Sequence, residues 1–201
     1  MKSPCAVAVR NRAVLLLLAS SLPAQTLWAT DTTVDLDVGA TRVEFTLAAT
    51  MHTVHGTLKL KSGQLRFDPA TGTASGVIIV DATSAETGNS LRDRKMHEEI
   101  LESAKFPEIV FTPSQVKGSI ARQGASQVQV SGTFRLHGQD HPVTMAMSVV
   151  PDPEGNLQAS TSFPVPYVKW GLRNPSTFIL HVSDTVDLEI HAIGHMAVDG
   201  R

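Results

Sequence analysis

The sequence predicts an all-β fold, and three observations carry that prediction. Apolar and polar residues alternate with period two along most of the chain beyond residue 33. Clusters of Asp, Pro, Gly and Asn punctuate the alternation, and one stretch has helical spacing instead. Period-two patterning sends every second side chain to one face of a strand, giving each segment a dry face that needs a partner.

The strand segments open with Val34, Leu36 and Val38, then Val43, Phe45 and Leu47. Leu58 and Leu60 come next, with Leu65 and Phe67 beyond an expected turn at Ser62-Gly63. Val77 to Val80 is a short continuous apolar run, followed later by Ile109 and Phe111. Val128, Val130, Phe134 and Leu136 form one more segment, and Val143, Met145, Met147 and Val149 another. The last third holds Leu157, Ala159, Thr161 and Phe163, then Phe178, Leu180 and Val182, then Val186, Leu188 and Ile190. Turn chemistry falls at Asp68-Pro69 to Gly72, Gly138 to Pro142 and Pro151 to Asn156. From Asn89 to Lys105 the spacing changes: Met96, Ile100 and Ala104 recur every four residues. Ser90 and Asp93 are spaced as a capping box, and Phe106-Pro107 ends the element. One short helix over residues 90–104 is therefore expected among the strands. Strands joined by hairpin turns form either a sandwich or a closed barrel, and alternation alone does not choose between them.

The first 29 residues read differently. Lys2, Arg10 and Arg12 precede the apolar run Ala13 to Leu22, which gives way to Ser20, Ser21, Pro23 and Ala24. A charged start, a short apolar core and a small-residue exit predict a secretory signal peptide over residues 1–29, cleaved after Ala24 or Ala29. The run is too short to span a bilayer, which needs about 20 apolar residues. A periplasmic or secreted domain over residues 30–201 is the expected product. Cys5, the single cysteine, precedes the apolar run, so the mature chain carries no thiol for catalysis or metal binding. With Lys2, Arg10 and Arg12 removed, the formal charge moves from −2 to −5. A mildly acidic chain without a Lys/Arg cluster argues against nucleic acid as a partner and against docking on an anionic membrane.

Histidine spacing gives weak metal signals. On a strand, His191 and His195 lie about 13 Å apart, too far for one ion. His52 and His55 point to opposite faces, which leaves His137 and His141, across a hairpin tip, as the surviving pair. Serines lack a nucleophile-elbow context, and Asp93, Glu98, Glu99 and Glu102 suit the solvated face of the helix. An enzyme is not expected. The one polar pair that would support chemistry at a barrel mouth is Arg92 with Asp93, better read as an ion pair fixing the helix start.

Several short motifs, in order, resemble the YceI-like family. They are Met51-His52-Thr53-Val54-His55-Gly56-Thr57; Asp81; Thr87-Gly88-Asn89 with Arg92-Asp93; and Phe106-Pro107-Glu108-Ile109-Val110-Phe111. Val130 to Gly138 with Pro142-Val143-Thr144, Trp170-Gly171-Leu172, and Ser183-Asp184-Thr185-Val186-Asp187-Leu188 continue the match. The resemblance runs from about Val34 to Gly194 and departs at Trp170, where many members carry phenylalanine. It implies an extended antiparallel lipocalin-like β-barrel holding a polyisoprenoid or quinone tail, with no other cofactor and the helix beside one end. Cavity-lining positions vary within the family, so the resemblance carries no chain-length selectivity.

An apolar tail needs a lining without charges, and inward Val, Leu, Met and Phe supply one. The expected lining comprises Phe45, Leu47, Ile79, Phe111, Phe134 and Leu136, together with Met145, Met147, Trp170, Phe178 and Leu180. Transport, storage or sequestration of an isoprenoid lipid or quinone follows, with transient membrane contact for ligand exchange. The competing reading is an interaction module or inhibitor that uses the barrel exterior. The sequence leaves the oligomeric state open, a homodimer included.

Overall fold

A computed structural model of the protein describes residues 31–198. The expected leader lies outside the described residues. Nine antiparallel strands follow in order: β1 (Thr32–Leu36), β2 (Arg42–Ala48), β3 (Thr53–Phe67), β4 (Ala74–Glu86), β5 (Glu108–Lys117), β6 (Ser126–Leu136), β7 (Gln139–Pro151), β8 (Asn156–Val165) and β9 (Val186–Val198). Between β4 and β5 a short helix, α1 (Ser90–Lys95), runs on as a π-helical turn, Met96–Ile100. No helix among the described residues is long and apolar enough to cross a membrane.

The sheet closes on itself. Its strand order is β1-β3-β2-β9-β8-β7-β6-β5-β4, and β3 also pairs with β4 to complete the ring. β1 and β2 both run antiparallel to β3 and β9, one beyond the other, so together they form a single stave of an eight-stave barrel. The break between them is an Asx turn: Asp37 Oδ1 accepts from the N–H groups of Gly39 and Ala40. Thr41 Oγ1 then reseals the ladder by bonding both the carbonyl and the N–H of Ile193. Of the two architectures that alternation permits, closure selects the barrel, in which each strand has a paired neighbour on both sides along at least part of its length.

The Ser62-Gly63 turn expected from the sequence is absent. β3 runs straight through it, and the pairing with β4 shifts register between Leu60 and Ser62. The inward positions switch there from even (Val54, Gly56, Leu58, Leu60) to odd (Leu65, Phe67), as the burial pattern shows. A bulge flips side-chain parity while bending a strand, and in sequence that flip imitates a turn. The β6–β7 hairpin is also tighter than expected. His137 and Gly138, at φ 53° and 74°, form a two-residue loop between the paired Leu136 and Gln139. Residues 178–182, expected as a strand, form a turn instead, with one isolated bridge from Val182 to Ala49. The other two turns fall as expected, each organised by an aspartate. Asp68 accepts from Ala70 N and Thr71 Oγ1, and Asp152 from Glu154 N and Asn156 N.

α1 sits beside the end of the barrel where β2, β4, β6 and β8 finish. Asn89, rather than Ser90, caps it, accepting from the N–H groups of Leu91 and Arg92. Asp93 turns backwards to accept from Thr87 N, 2.9 Å away, and from Thr87 Oγ1. Arg92 reaches the same residue from Nε to Oγ1 (2.7 Å) and from Nη2 to the carbonyl (3.0 Å). The expected Arg92–Asp93 ion pair is thus replaced by two side chains gripping one threonine. Replacing Asn89 with Ala should lower unfolding free energy by about 1 kcal/mol, and Asn89→Asp should largely restore it. Urea denaturation followed by circular dichroism checks both.

Candidate ligand-binding cavity

Side chains fill the interior at one end and leave it hollow at the other. At the end farther from α1, Val34, Phe67, Ala74, Val116, Val128, Val149, Leu157 and Ala159 are buried against one another. Toward α1 the inward residues stand apart around a cavity of about 440 Å³. Phe45 and Leu47 of β2, Val54 and Leu58 of β3, Ala85 of β4 and Ile109 of β5 form one wall. Phe134, Leu136, Val165, Val186 and Leu188 form the other.

The size of this hollow depends on where large residues face small ones. Gly56 pairs with Phe45 across β2 and β3, and a Cβ at Gly56 would fall 2.2 Å from the Phe45 ring. The ring therefore lies flat over the glycine instead of standing into the lumen. Gly132 does the same for Phe111, whose ring would meet a Cβ at 2.8 Å.

Two segments cover the open end. Leu91, Met96, Ile100 and Leu101 turn the apolar side of the helical segment into the cavity. The helical segment is fixed by His97, whose Nε2–H donates to the Ala85 carbonyl while Nδ1 accepts from Ser103 Oγ. Glu102 takes His137 Nε2 at 2.5 Å, and Glu99 takes Arg173 Nη1 at 3.0 Å. The second segment, residues 166–185, contributes Tyr167, Leu172, Pro175, Leu180 and Val182. Tyr167 O–H donates to the Ser183 carbonyl at 2.8 Å. Burial first, then the Asp184 charge, pushes its pKa up to about 12, so it stays protonated. This segment also seals a gap in the wall. The β7–β8 ladder stops at Ser148–Ser160, and beyond it Trp170 stacks on His141 at 4.1 Å and packs on Phe134 at 5.7 Å.

The lining is almost wholly apolar. Its polar members are His52, Thr87, Arg92, Lys95 and Tyr167, contributed by α1 and the loops at the open end; no aspartate or glutamate is among them. No group of His, Asp or Glu among the described residues is arranged to hold a metal. The hairpin gives His137 and His141 different partners, Glu102 and Trp170, instead of a shared ion.

Of the lining residues expected from sequence, Phe45, Leu47, Phe134, Leu136 and Leu180 surround the cavity. Phe111, Met145 and Met147 face inward too, paired with Phe134, Val130 and Val128, but pack against the filled core. Trp170 closes the gap in the wall, against His141 and Phe134, and is not part of the cavity lining. Ile79 shares the outward face of β4 with exposed Val77, and Phe178 is fully exposed at a turn. Val54, Leu58, Val165 and Leu188 continue the same alternation. The helical contribution of Met96 and Ile100 was marked by their four-residue spacing.

The YceI-like domain model matches residues 34–193. The chain belongs to the YceI-like family. A UPF0312 protein of Vibrio cholerae is 25% identical over 146 residues, covering 70% of this chain and 74% of its own. Protein YceI of Salmonella arizonae is 30% identical over 111 residues, covering 53% and 56%. Among solved structures, BcnA of Burkholderia cenocepacia superposes with a TM-score of 0.67 at 18% identity, over 79% of this chain and 99% of that one. A protein of Saccharophagus degradans, described as a polyisoprenoid binding domain implicated in plant cell wall breakdown, gives 0.61 at 16% identity, over 82% and 98%. These structural likenesses establish the lipocalin-like barrel fold.

The YceI-like barrel here has two interiors with different mechanical properties, and core truncation should separate them. Leu157→Ala, in the filled half, should cost about 2–5 kcal/mol because packed neighbours cannot collapse into the void. Leu47→Ala, which opens onto existing space, should cost less than half as much. Paired urea unfolding curves test the contrast.

Proposed function

We propose that this protein is an exported binding protein that carries an isoprenoid lipid or quinone, with the tail in the barrel and the polar end at the mouth. The observation that carries the reading is the hollow, apolar half of the barrel, whose polar side chains are confined to its open end. A tail makes no hydrogen bonds, and this lining offers few along its depth. A headgroup at the opening would meet the hydroxyls of Thr87 and Tyr167 and the cations Arg92 and Lys95. The solved neighbour described as a polyisoprenoid binding domain supports the same ligand class. Binding, not catalysis, suits a lining without paired carboxylates or an activated nucleophile. The leader expected over residues 1–29 supports a periplasmic or secreted site of action.

Energetics favour exchange over permanent storage. Each CH₂ removed from water is worth about 0.8 kcal/mol, but a membrane lipid's tail is already dry. Moving it from bilayer to barrel is close to neutral in hydrophobic terms, so loading and unloading are both accessible.

Organic extraction of protein purified from its own host, followed by mass spectrometry, tests the proposal. A near-stoichiometric isoprenoid or quinone of defined mass is the expected result. Leu47→Trp, which fills the hollow, should reduce that lipid severalfold without unfolding the protein. Lipid-free protein that also fails to take up added ubiquinone would sink the reading.

A further inference from the structure

The mouth carries apolar side chains that the cavity does not use. Phe178 and Ile179 form the tip of a turn closed by Thr177 N to Leu180 O (2.8 Å), and they are 100% and 82% exposed. The β2–β3 turn lies directly beside it, since Thr50 exchanges hydrogen bonds with both the N–H and the carbonyl of His181. Its own apolar residue, Met51, is 86% exposed. Leu91, on the other flank, both lines the cavity and is 72% exposed. Leu180, next to the tip, and Ala49, next to Thr50, line the cavity. The exposed apolar rim is therefore continuous with the apolar lumen.

The acidic charge of the whole chain argues against an anionic membrane, but the helical segment at this rim is formally neutral, Arg92, Arg94 and Lys95 balancing Asp93, Glu98 and Glu99. Three of the six residues of α1 are basic, and Arg94 and Lys95 are exposed. Of the acidic groups on the helical segment, Asp93 is held by Thr87 and Glu99 by Arg173, which leaves Glu98 exposed. Large apolar side chains projecting beside exposed cations are the composition that enters the interface of an anionic bilayer.

We infer that the Phe178-Ile179 tip, with Met51 and Leu91 flanking it, docks the barrel mouth-first onto an anionic lipid surface, with Arg94 and Lys95 over the headgroups. The tip enters the interfacial layer, and the lumen then opens directly onto the acyl region. The docking gives the carrier reading its route of exchange and rests on it for its purpose, though the surface can be tested alone.

The test is flotation of the mature protein with vesicles of phosphatidylethanolamine containing one-quarter phosphatidylglycerol, compared with pure phosphatidylcholine. Wild type should float with the anionic vesicles, less with phosphatidylcholine, and less again as salt is raised. Phe178→Ser with Ile179→Ser should lower the vesicle-bound fraction at least tenfold, since two large side chains no longer leave water. Because Phe178 has no packing to lose, fold and co-purified lipid should be unchanged. Phe178→Trp supplies an independent readout: the emission of the introduced indole should shift to the blue when anionic vesicles are added. Wild type that fails to float, a double variant that floats equally, or an unshifted emission from the Phe178→Trp variant overturns the docking. So does sedimentation showing that the tip instead joins two copies, with a dimer lost in the double variant and no vesicle binding. If neither protein holds lipid yet the flotation difference persists, docking stands and the carrier reading falls.

Discussion

Closing an antiparallel sheet into a tube obliges every second side chain of eight staves to share one interior. That volume must be filled by side chains, left empty or occupied by a ligand, because a packed core otherwise tolerates few voids. Here the division is made by residue size along each strand. Where Phe67, Val128, Met145 and Leu157 meet, the lumen is filled. Where Phe45 lies down on Gly56 and the small Ala85 lines the wall, it is not. The hollow is therefore a consequence of small residues and flattened rings at one end of the barrel.

The open end is held by polar contacts because apolar packing there is incomplete. Thr87 receives Arg92 and gives to Asp93, which fixes the entry to α1. His97 ties the π-helical turn to β4, and Glu102 ties its exit to the β6–β7 hairpin. The π-helical step, with Leu101 N bonded to Met96 O at 2.8 Å, widens the last turn so that Met96, Ile100 and Leu101 all reach the cavity. A few exposed or half-buried hydrogen bonds, each of modest net worth, hold this cover in place. By contrast, the closed end is bonded through cooperative ladders. The cover is the part of the molecule expected to open first.

Much of this was legible in the sequence, and the failures have identifiable physical causes. Alternation located the strands and their dry faces, while four-residue spacing located the helical segment and its apolar side. Face could be read, but depth along the barrel could not. Met145 and Phe134 both face inward, yet one lies in the filled half and the other at the cavity. Nothing local distinguishes them, because depth depends on strand tilt and register across the whole ring. The bulge at Leu60–Ser62 imitated a turn because parity inverted there. Ile79 reads as inward in the sequence because a continuous apolar run, Val77 to Val80, hides its own parity. Phe178, Leu180 and Val182 alternate as a strand would, but Leu180 and Val182 point into the cavity while Phe178 tops a turn.

That last departure bears on how such a barrel could work. An apolar strand residue out of place would usually be a liability, since exposed phenylalanine and isoleucine beside methionine invite association. At the closed end the chain places Asp68, Asp152 and their polar turns, which keep that surface wetted. The apolar tip is concentrated instead at the end with the opening, next to the few cations of α1. An interior that is dry, an entrance whose rim is also dry, and a polar far end make a one-sided molecule. For a cargo that gains little by leaving a bilayer for the barrel, the barrier lies in crossing water between them. A rim that shortens or removes that crossing lowers the barrier in both directions without any change in affinity. On the proposed carrier reading, the same asymmetry that leaves half the barrel empty also sets which end would meet the source of the ligand.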